Sequence, residues 1–160
     1  MIEIRRIDLD KTVELDEALA LVGAVFDQFE APEFSPQGIK TFHDSINPQS
    51  LRPRLAGHEM QMWVALIDEA IVGVIALRNV NHICMFFVDA QHHRQGIGRA
   101  LYQTIRQHLL GLKYDFITVF SSPYAVPVYQ RLGFVSVAEE LLIEGMRCNP
   151  LCAYISKEGS

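Results

Sequence analysis

The 160-residue chain is 49% hydrophobic and 21% charged, the balance of one globular domain, expected to span residues 1–160 around a buried core. Its net charge of −5 argues against a face built to neutralise nucleic-acid phosphates, while an acidic surface weakly favours a cation. No apolar run approaches the ~20 residues of a membrane span, the start MIEIRRIDLD lacks the apolar stretch of a signal peptide, and Cys84, Cys148 and Cys152 show no paired spacing. Reduced thiols and a cytoplasmic location are therefore expected.

In chain order, IEIRRI alternates with period two and predicts a strand. VELDEALALVGAVFDQFEAP switches to helical spacing, with Leu15, Leu19, Val22 and Phe26 on one stripe that ends before Pro32. Ser35 as cap and Pro36 at the first helical position predict a second helix over SPQGIKTFHDSI. NPQSLRPRLAGHE reads as a loop or a short broken helix. MQMWVALID and AIVGVIALRN read as strands of a tight hairpin, and HICMFFV as a third strand. A long helix follows from Ile97, with Leu101, Ile105, Leu109 and Leu112 on its stripe. YDFITVF predicts another strand, SPYAVPVYQRLGF a short helix and GMRCNPLCAYIS a strand pair or broken strand. The order is β-α-α-β-β-β-α-β-α-β-β, an α/β fold with a mixed central sheet flanked by helices.

The junction between the third strand of that run and the long helix carries Gly96-Ile97-Gly98. Helix N-termini leave backbone N–H groups unpaired and carry partial positive charge, so such a turn suits a phosphate. Glycines permit close approach, and Arg94 and Arg99 can add charge-assisted hydrogen bonds. A nucleotide P-loop would need Lys-Ser/Thr after its last glycine, and a dinucleotide fingerprint a third glycine or alanine where Leu101 stands. Neither is present, and a helix opened by glycines for packing alone stays an alternative. His92 and His93 are adjacent with no carboxylate or cysteine completing a set, so no metal is expected.

Together, FFVDAQHHRQGIGRAL (residues 86–101) and AVPVYQRLGF (residues 125–134) resemble the GCN5-related N-acetyltransferase (GNAT) superfamily. Its pattern is Gln/Arg-x-x-Gly-x-Gly/Ala after the fourth strand, then a helix with Tyr-x-x-x-Gly-Phe. The element order is also that of the superfamily, and the resemblance runs over essentially the whole chain. It implies acetyl-coenzyme A as co-substrate and direct transfer to an amine. The pyrophosphate would sit on Arg94, Gln95, Gly96, Ile97, Gly98 and Arg99. His93 stands where the pattern has Gln or Arg, a departure that matters little if backbone donors do most of the binding.

Alternation along the third strand places His82, Cys84, Phe86 and Val88 on one face and Ile83, Met85 and Phe87 on the other. By the resemblance, the Phe86 N–H polarises the thioester carbonyl and Val88 pairs with the pantetheine arm. Ser122 takes the place of a cofactor-binding asparagine. The resemblance also implies that Tyr129 protonates the coenzyme A sulfur, since a phenol of ordinary pKa ~10 keeps its proton at neutral pH; a packed, half-buried aromatic is the alternative. His82, eleven residues before His93, stands where some members carry a glutamate base; a water relay is its alternative. Cys84 reads as a wall thiol. Phe26, Phe29, Phe34 and Phe42 read mostly as core, while Glu30 and Glu33 could pair with a cationic acceptor or be merely solvated. The expected partner is a small-molecule amine or an amine of a protein or peptide, with no nucleic acid and no membrane; a homodimer is left open. The competing reading is a non-catalytic acyl-coenzyme A sensor or recruitment module. Acylation with another acyl group, or on oxygen, is subordinate.

Overall fold

The computed structural model describes residues 1–156. Strand β1 (Ile2–Arg6) leads into helix α1 (Glu14–Phe29), whose stripe Leu15, Leu19, Val22 and Phe26 is buried as its spacing predicts. The two elements are tied by Arg5, whose Nη1 and Nη2 donate to the two Glu14 carboxylate oxygens at 2.7 and 2.9 Å. Pro32 falls in a short 3-10 turn over Ala31–Glu33. Ser35 then caps α2 (Pro36–Ser45), its Oγ accepting the Gly38 N–H at 3.2 Å.

The segment expected as a loop or a short broken helix is a third helix, α3 (Pro48–Ala56), unbroken despite Pro53. Asn47 Oδ1 accepts the Gln49 N–H at 2.8 Å, and Leu51 and Leu55, four residues apart, are both buried. Pro53 lies inside this helix and removes a backbone donor. The burial of two leucines against the sheet outweighs that loss, which is why local sequence alone made the element look broken.

Strands β2 (Met60–Ile67) and β3 (Ala70–Arg78) form the expected hairpin, with Asp68 and Glu69 both at positive φ in its two-residue turn. β4 (His82–Val88) follows, then α4 (Ile97–Gly111), which buries Ile97, Leu101, Ile105 and Leu109. Leu112 departs from the expected stripe: it lies beyond the helix and is 52% exposed. The remaining elements are β5 (Phe116–Ser121), α5 (Val126–Arg131), β6 (Val135–Ser136), β7 (Leu141–Ile143) and β8 (Met146–Tyr154). The C-terminal segment is thus one long strand, with β7 folded onto it by the Glu144-Gly145 turn. β6 and β7 are too short to leave a periodic signature.

The sheet runs β1-β2-β3-β4-β5-β8-β6, with β7 attached to β8. All adjacent pairs are antiparallel except β4 and β5. Helices α1 to α3 cover one face, where Met62, Val64, Val74 and Phe87 meet Phe26 and Phe42, whose rings stack at 3.8 Å. α4 covers the other, packed on Ile75, Leu77, Ile83 and Ile117. Among the described residues, no helix is long and apolar enough to cross a membrane.

Candidate active site

Strands β4 and β5 pair only through His82–Thr118 and Ile83–Val119. Beyond those two pairs the strands diverge. The β4 edge from Met85 to Val88 faces a cleft on the side away from β3, and apart from the Val88 carbonyl, which His93 occupies, its outward peptide groups have no β5 partner there and can pair with an extended ligand.

A register shift in β4 changes which side chains reach that cleft. Leu77 faces Ile83, but the next residue of β3, Ala76, faces Met85, so Cys84 has no Cα partner in the β3 ladder. Such a bulge inserts one residue and reverses the alternation beyond it. Ile83, Phe86 and Val88 consequently pack on the α4 side, while Cys84, Met85 and Phe87 pack on the α1 side. The expectation that Cys84 shares a face with Phe86 and Val88 is corrected by this shift.

The first part of the cleft is a cavity of about 430 Å³, bounded by α1, β4, the start of α4 and α5. At its mouth, Arg94 and Gly96 both adopt positive φ, 64° and 81°. The first bond within α4 runs from the Ala100 N–H to the Gly96 carbonyl, and no side chain caps the helix. The amides of Ile97, Gly98 and Arg99 are therefore the orphan donors of a helix start, next to the exposed Arg94 and Arg99 side chains. Val88 lends its carbonyl to His93, whose Nε2 lies at 2.8 Å and must carry the proton because its partner can only accept. The His93 ring also packs at 5.0 Å on Phe29, which stacks on Tyr124 at 5.4 Å.

A second cavity of about 290 Å³ continues towards α2, α3 and the β7–β8 hairpin. Glu30, Phe86, Phe87, Ala125 and Tyr129 line both cavities and so form their junction. Tyr129 is buried, with its ring 5.8 Å from Phe86 and 5.3 Å from Phe134. Burial, reinforced by the neighbouring Glu30 carboxyl and Cys84 thiol, keeps its phenol protonated well above the ordinary range. Burial also pushes the Glu30 carboxyl up to about 7, opposed by the Ser122 hydroxyl and helped by Glu33. A protonated phenol and a carboxyl that can exchange a proton near neutral pH thus line one junction.

The sequence model of the acetyltransferase (GNAT) domain family matches residues 30–152. The chain belongs to the GNAT family. Over 107 residues it is 32% identical to the uncharacterized N-acetyltransferase YafP of Escherichia coli, covering 67% of this chain and 65% of that protein. Over 84 residues it is 30% identical to human N-acetyltransferase 8, covering 45% and 37%. The similarity thus spans under two thirds of either relative. The fold matches the crystal structure of PaiA N-acetyltransferase from Thermoplasma acidophilum in complex with coenzyme A, with TM-score 0.79 and 13% identity over 97% of this chain and 99% of that one.

In this GNAT domain, Phe86, Val88, His93, Arg94, Gly96, Ile97, Gly98 and Arg99 all border the first cavity, together with Tyr129. Ile97 contributes backbone only, because its side chain is 1% exposed in the core. Gln95 is exposed outside the lining, with Nε2 3.5 Å from the Gln91 carbonyl. Ser122 borders the second cavity instead of the first, and its Oγ accepts the Ala125 N–H at 3.3 Å.

His82 also borders the second cavity, away from the junction lining. Its Nδ1 lies 2.8 Å from Thr118 Oγ1, and burial with the Arg78 charge holds its conjugate acid down to about 4. It is a neutral ring at pH 7 with weak hold on a proton. Burial pushes the Cys84 thiol up to about 11 despite Arg78 and Arg54, so it is a wall group and no nucleophile. His92 pairs with Asp89 at 3.0 Å, and among the described residues no group of three or more His, Cys, Asp and Glu side chains is placed to hold a metal. Sequence reasoning left Glu30 undecided and missed Arg78; neither position carries a local signal of where its side chain ends.

Proposed function

We propose that this domain transfers an acetyl group from acetyl-coenzyme A to an amine, both bound at once in the two joined cavities. The observation that carries the reading is the shared wall: Tyr129, Glu30 and Phe86 border both chambers. PaiA N-acetyltransferase, a fold relative, has coenzyme A bound in its crystal structure, which supports the choice of carrier.

Acetyl-coenzyme A supplies the activated acetyl thioester. The orphan amides of Ile97, Gly98 and Arg99, with the Arg94 and Arg99 guanidiniums, suit its pyrophosphate; Gly96 at positive φ holds that loop open. The free β4 edge from Phe86 to Val88 suits the amide-bearing arm, and donors there would steady the acyl oxygen. Glu30 takes the proton from the acceptor's ammonium, a role matched by a pKa of about 7. As the C–N bond forms and the C–S bond breaks, Tyr129 gives its proton to the departing sulfur and is reprotonated by the second proton that the new amide nitrogen sheds. The base role first assigned to His82 passes to Glu30 in this proposal, because Glu30 stands at the junction and His82 does not.

The test is release of free coenzyme A thiol from acetyl-coenzyme A across a panel of amines. Turnover that requires both substrates supports the reading. Tight binding of acetyl-coenzyme A with no turnover on any amine favours the sensor or recruitment module.

A further inference from the structure

We infer that the second cavity selects an acidic amine, one whose carboxylate or phosphate docks on Arg78 and Arg54 while its amine reaches Glu30. The inference rests on the transferase reading and names the acceptor class for it.

The charged groups lining this cavity are Arg54, Arg78, Arg147 and, at the junction, Glu30. Arg147 is already committed: its Nε and Nη2 hold the Glu140 carboxylate at 3.1 and 3.2 Å. Arg54 has one long contact, from Nε to Glu59 at 3.6 Å, with a carboxylate that is 71% exposed. Arg78 is the unusual one. Its Nε is buried and has no hydrogen-bond partner among the described residues. Its charge reaches three other groups of the cavity wall, His82, Cys84 and Cys148. A guanidinium cannot lose its proton to relieve burial, so it is stabilised by an anion that meets its planar donors.

The neighbouring walls offer no such anion. His82 is neutral, and Cys84 and Cys148 stay protonated because burial raises both thiols. Among the described residues, the only lining carboxyl is Glu30. Arg78 pairs with His82 across the β3–β4 ladder, and Phe86, which borders the junction, lies four residues further along β4. That is roughly 10–13 Å of strand. An arginine side chain can reach across only part of it, so several bonds must separate amine from acid in the ligand. The α-ammonium and α-carboxylate of a single amino acid, on one carbon, are too close to use both ends.

Three probes of equal length separate the possibilities: 6-aminohexanoate, 1-aminohexane and 1,6-diaminohexane. Each is titrated calorimetrically into the full chain saturated with coenzyme A, and each is also run as acceptor with acetyl-coenzyme A. Tenfold or greater preference for 6-aminohexanoate, expressed in Kd and KM, is expected. In Arg78→Met that ratio should collapse towards one, and Arg78→Lys should restore part of it; Arg54→Met should reduce it less. Equal binding of all three probes, or preference for the diamine, overturns the inference even if thiol release proceeds. Absence of turnover with the acid preference intact would overturn the transferase reading and leave the site assignment standing. If Arg78→Met does not fold, the wild-type probe ratio and Arg78→Lys still decide.

Discussion

Gly38 of α2 and Gly145 of the β7–β8 turn pack backbone against backbone: a Cβ added at Gly38 would lie 2.2 Å from the Gly145 carbonyl oxygen. Ser35 Oγ donates to that same carbonyl at 3.3 Å, and Thr41 Oγ1 lies 2.7 Å from the Glu144 carbonyl. Helix α2 therefore pins the hairpin that supplies Ile143, Met146, Arg147 and Cys148 to the second cavity. Gly38→Ala should push the hairpin off the helix at a cost of about 1–3 kcal/mol, the range for overpacking. Its Tm should fall and its KM for amine rise, while affinity for acetyl-coenzyme A stays near that of the parent. A variant with unchanged KM would show that the hairpin does not shape the acceptor side.

The start of α4 carries the prediction for the co-substrate. A Cβ at Gly98 would meet the Phe86 ring at 3.5 Å, an ordinary contact, and a carboxylate near a helix N-terminus is tolerated. Gly98→Asp should fold, yet its charge would repel a pyrophosphate. Acetyl-coenzyme A at a hundredfold excess over Kd should stabilise the parent by about 2.7 kcal/mol and the variant scarcely at all. ATP should do little to either; equal Tm shifts from both ligands would indicate a general nucleotide site.

Two candidate bases make opposite predictions about pH. With Glu30 as base, kcat/KM rises through its pKa of about 7 as the carboxylate forms. The groups around it are Tyr129 on α5, Ser122 after β5, Glu33 on the following turn, and His92 and His93 before α4. Glu30→Gln should lower the rate about 10²–10⁴-fold and erase that limb. His82→Ala should keep it, because an imidazole with pKa about 4 is already neutral over the range. A His82→Ala loss as large, with the Glu30→Gln profile unchanged, would return the role to His82.

The same Glu30 substitution has a signature in stability. The folded state holds the proton to about pH 7, while the unfolded carboxyl releases it near 4.5. Folding therefore binds a proton in that window, and stability declines as pH rises through it. Above pH 7 the buried charge costs up to about 3 kcal/mol. Glu30→Gln should raise Tm at pH 8 and leave it near the parent's at pH 4. An equal Tm for parent and variant at pH 8 would show that the carboxylate is well solvated.

Tyr129→Phe removes one oxygen and keeps the ring on Phe86 and Phe134, so Tm and co-substrate affinity should barely change. kcat should fall severalfold to a hundredfold with KM unaltered, as expected when a contact forms only in the transition state. Turnover equal to the parent's would make the tyrosine a packing residue.

Much of the architecture was legible because its causes are local. Helix caps such as Ser35, the stripe of α1 and the glycine turn before α4 depend on residues within about four positions of one another. The family pattern at Gly96, Gly98 and Tyr129 is equally short in sequence. Helix α3 stayed undecided between a loop and a short broken helix because its decisive contacts, the burial of Leu51 and Leu55, are made across the chain while Pro53 argues locally against it. The facing of Cys84 escaped for a related reason: alternation is a property of one strand, whereas the register shift exists only in the pairing of two. Most of all, proton affinity and charge balance belong to the assembled cavity. Nothing beside Glu30 or Arg78 in the sequence says that one is desolvated near Tyr129 and that the other's buried Nε lacks a partner among the described residues, since desolvation is set by residues that only the tertiary structure brings together.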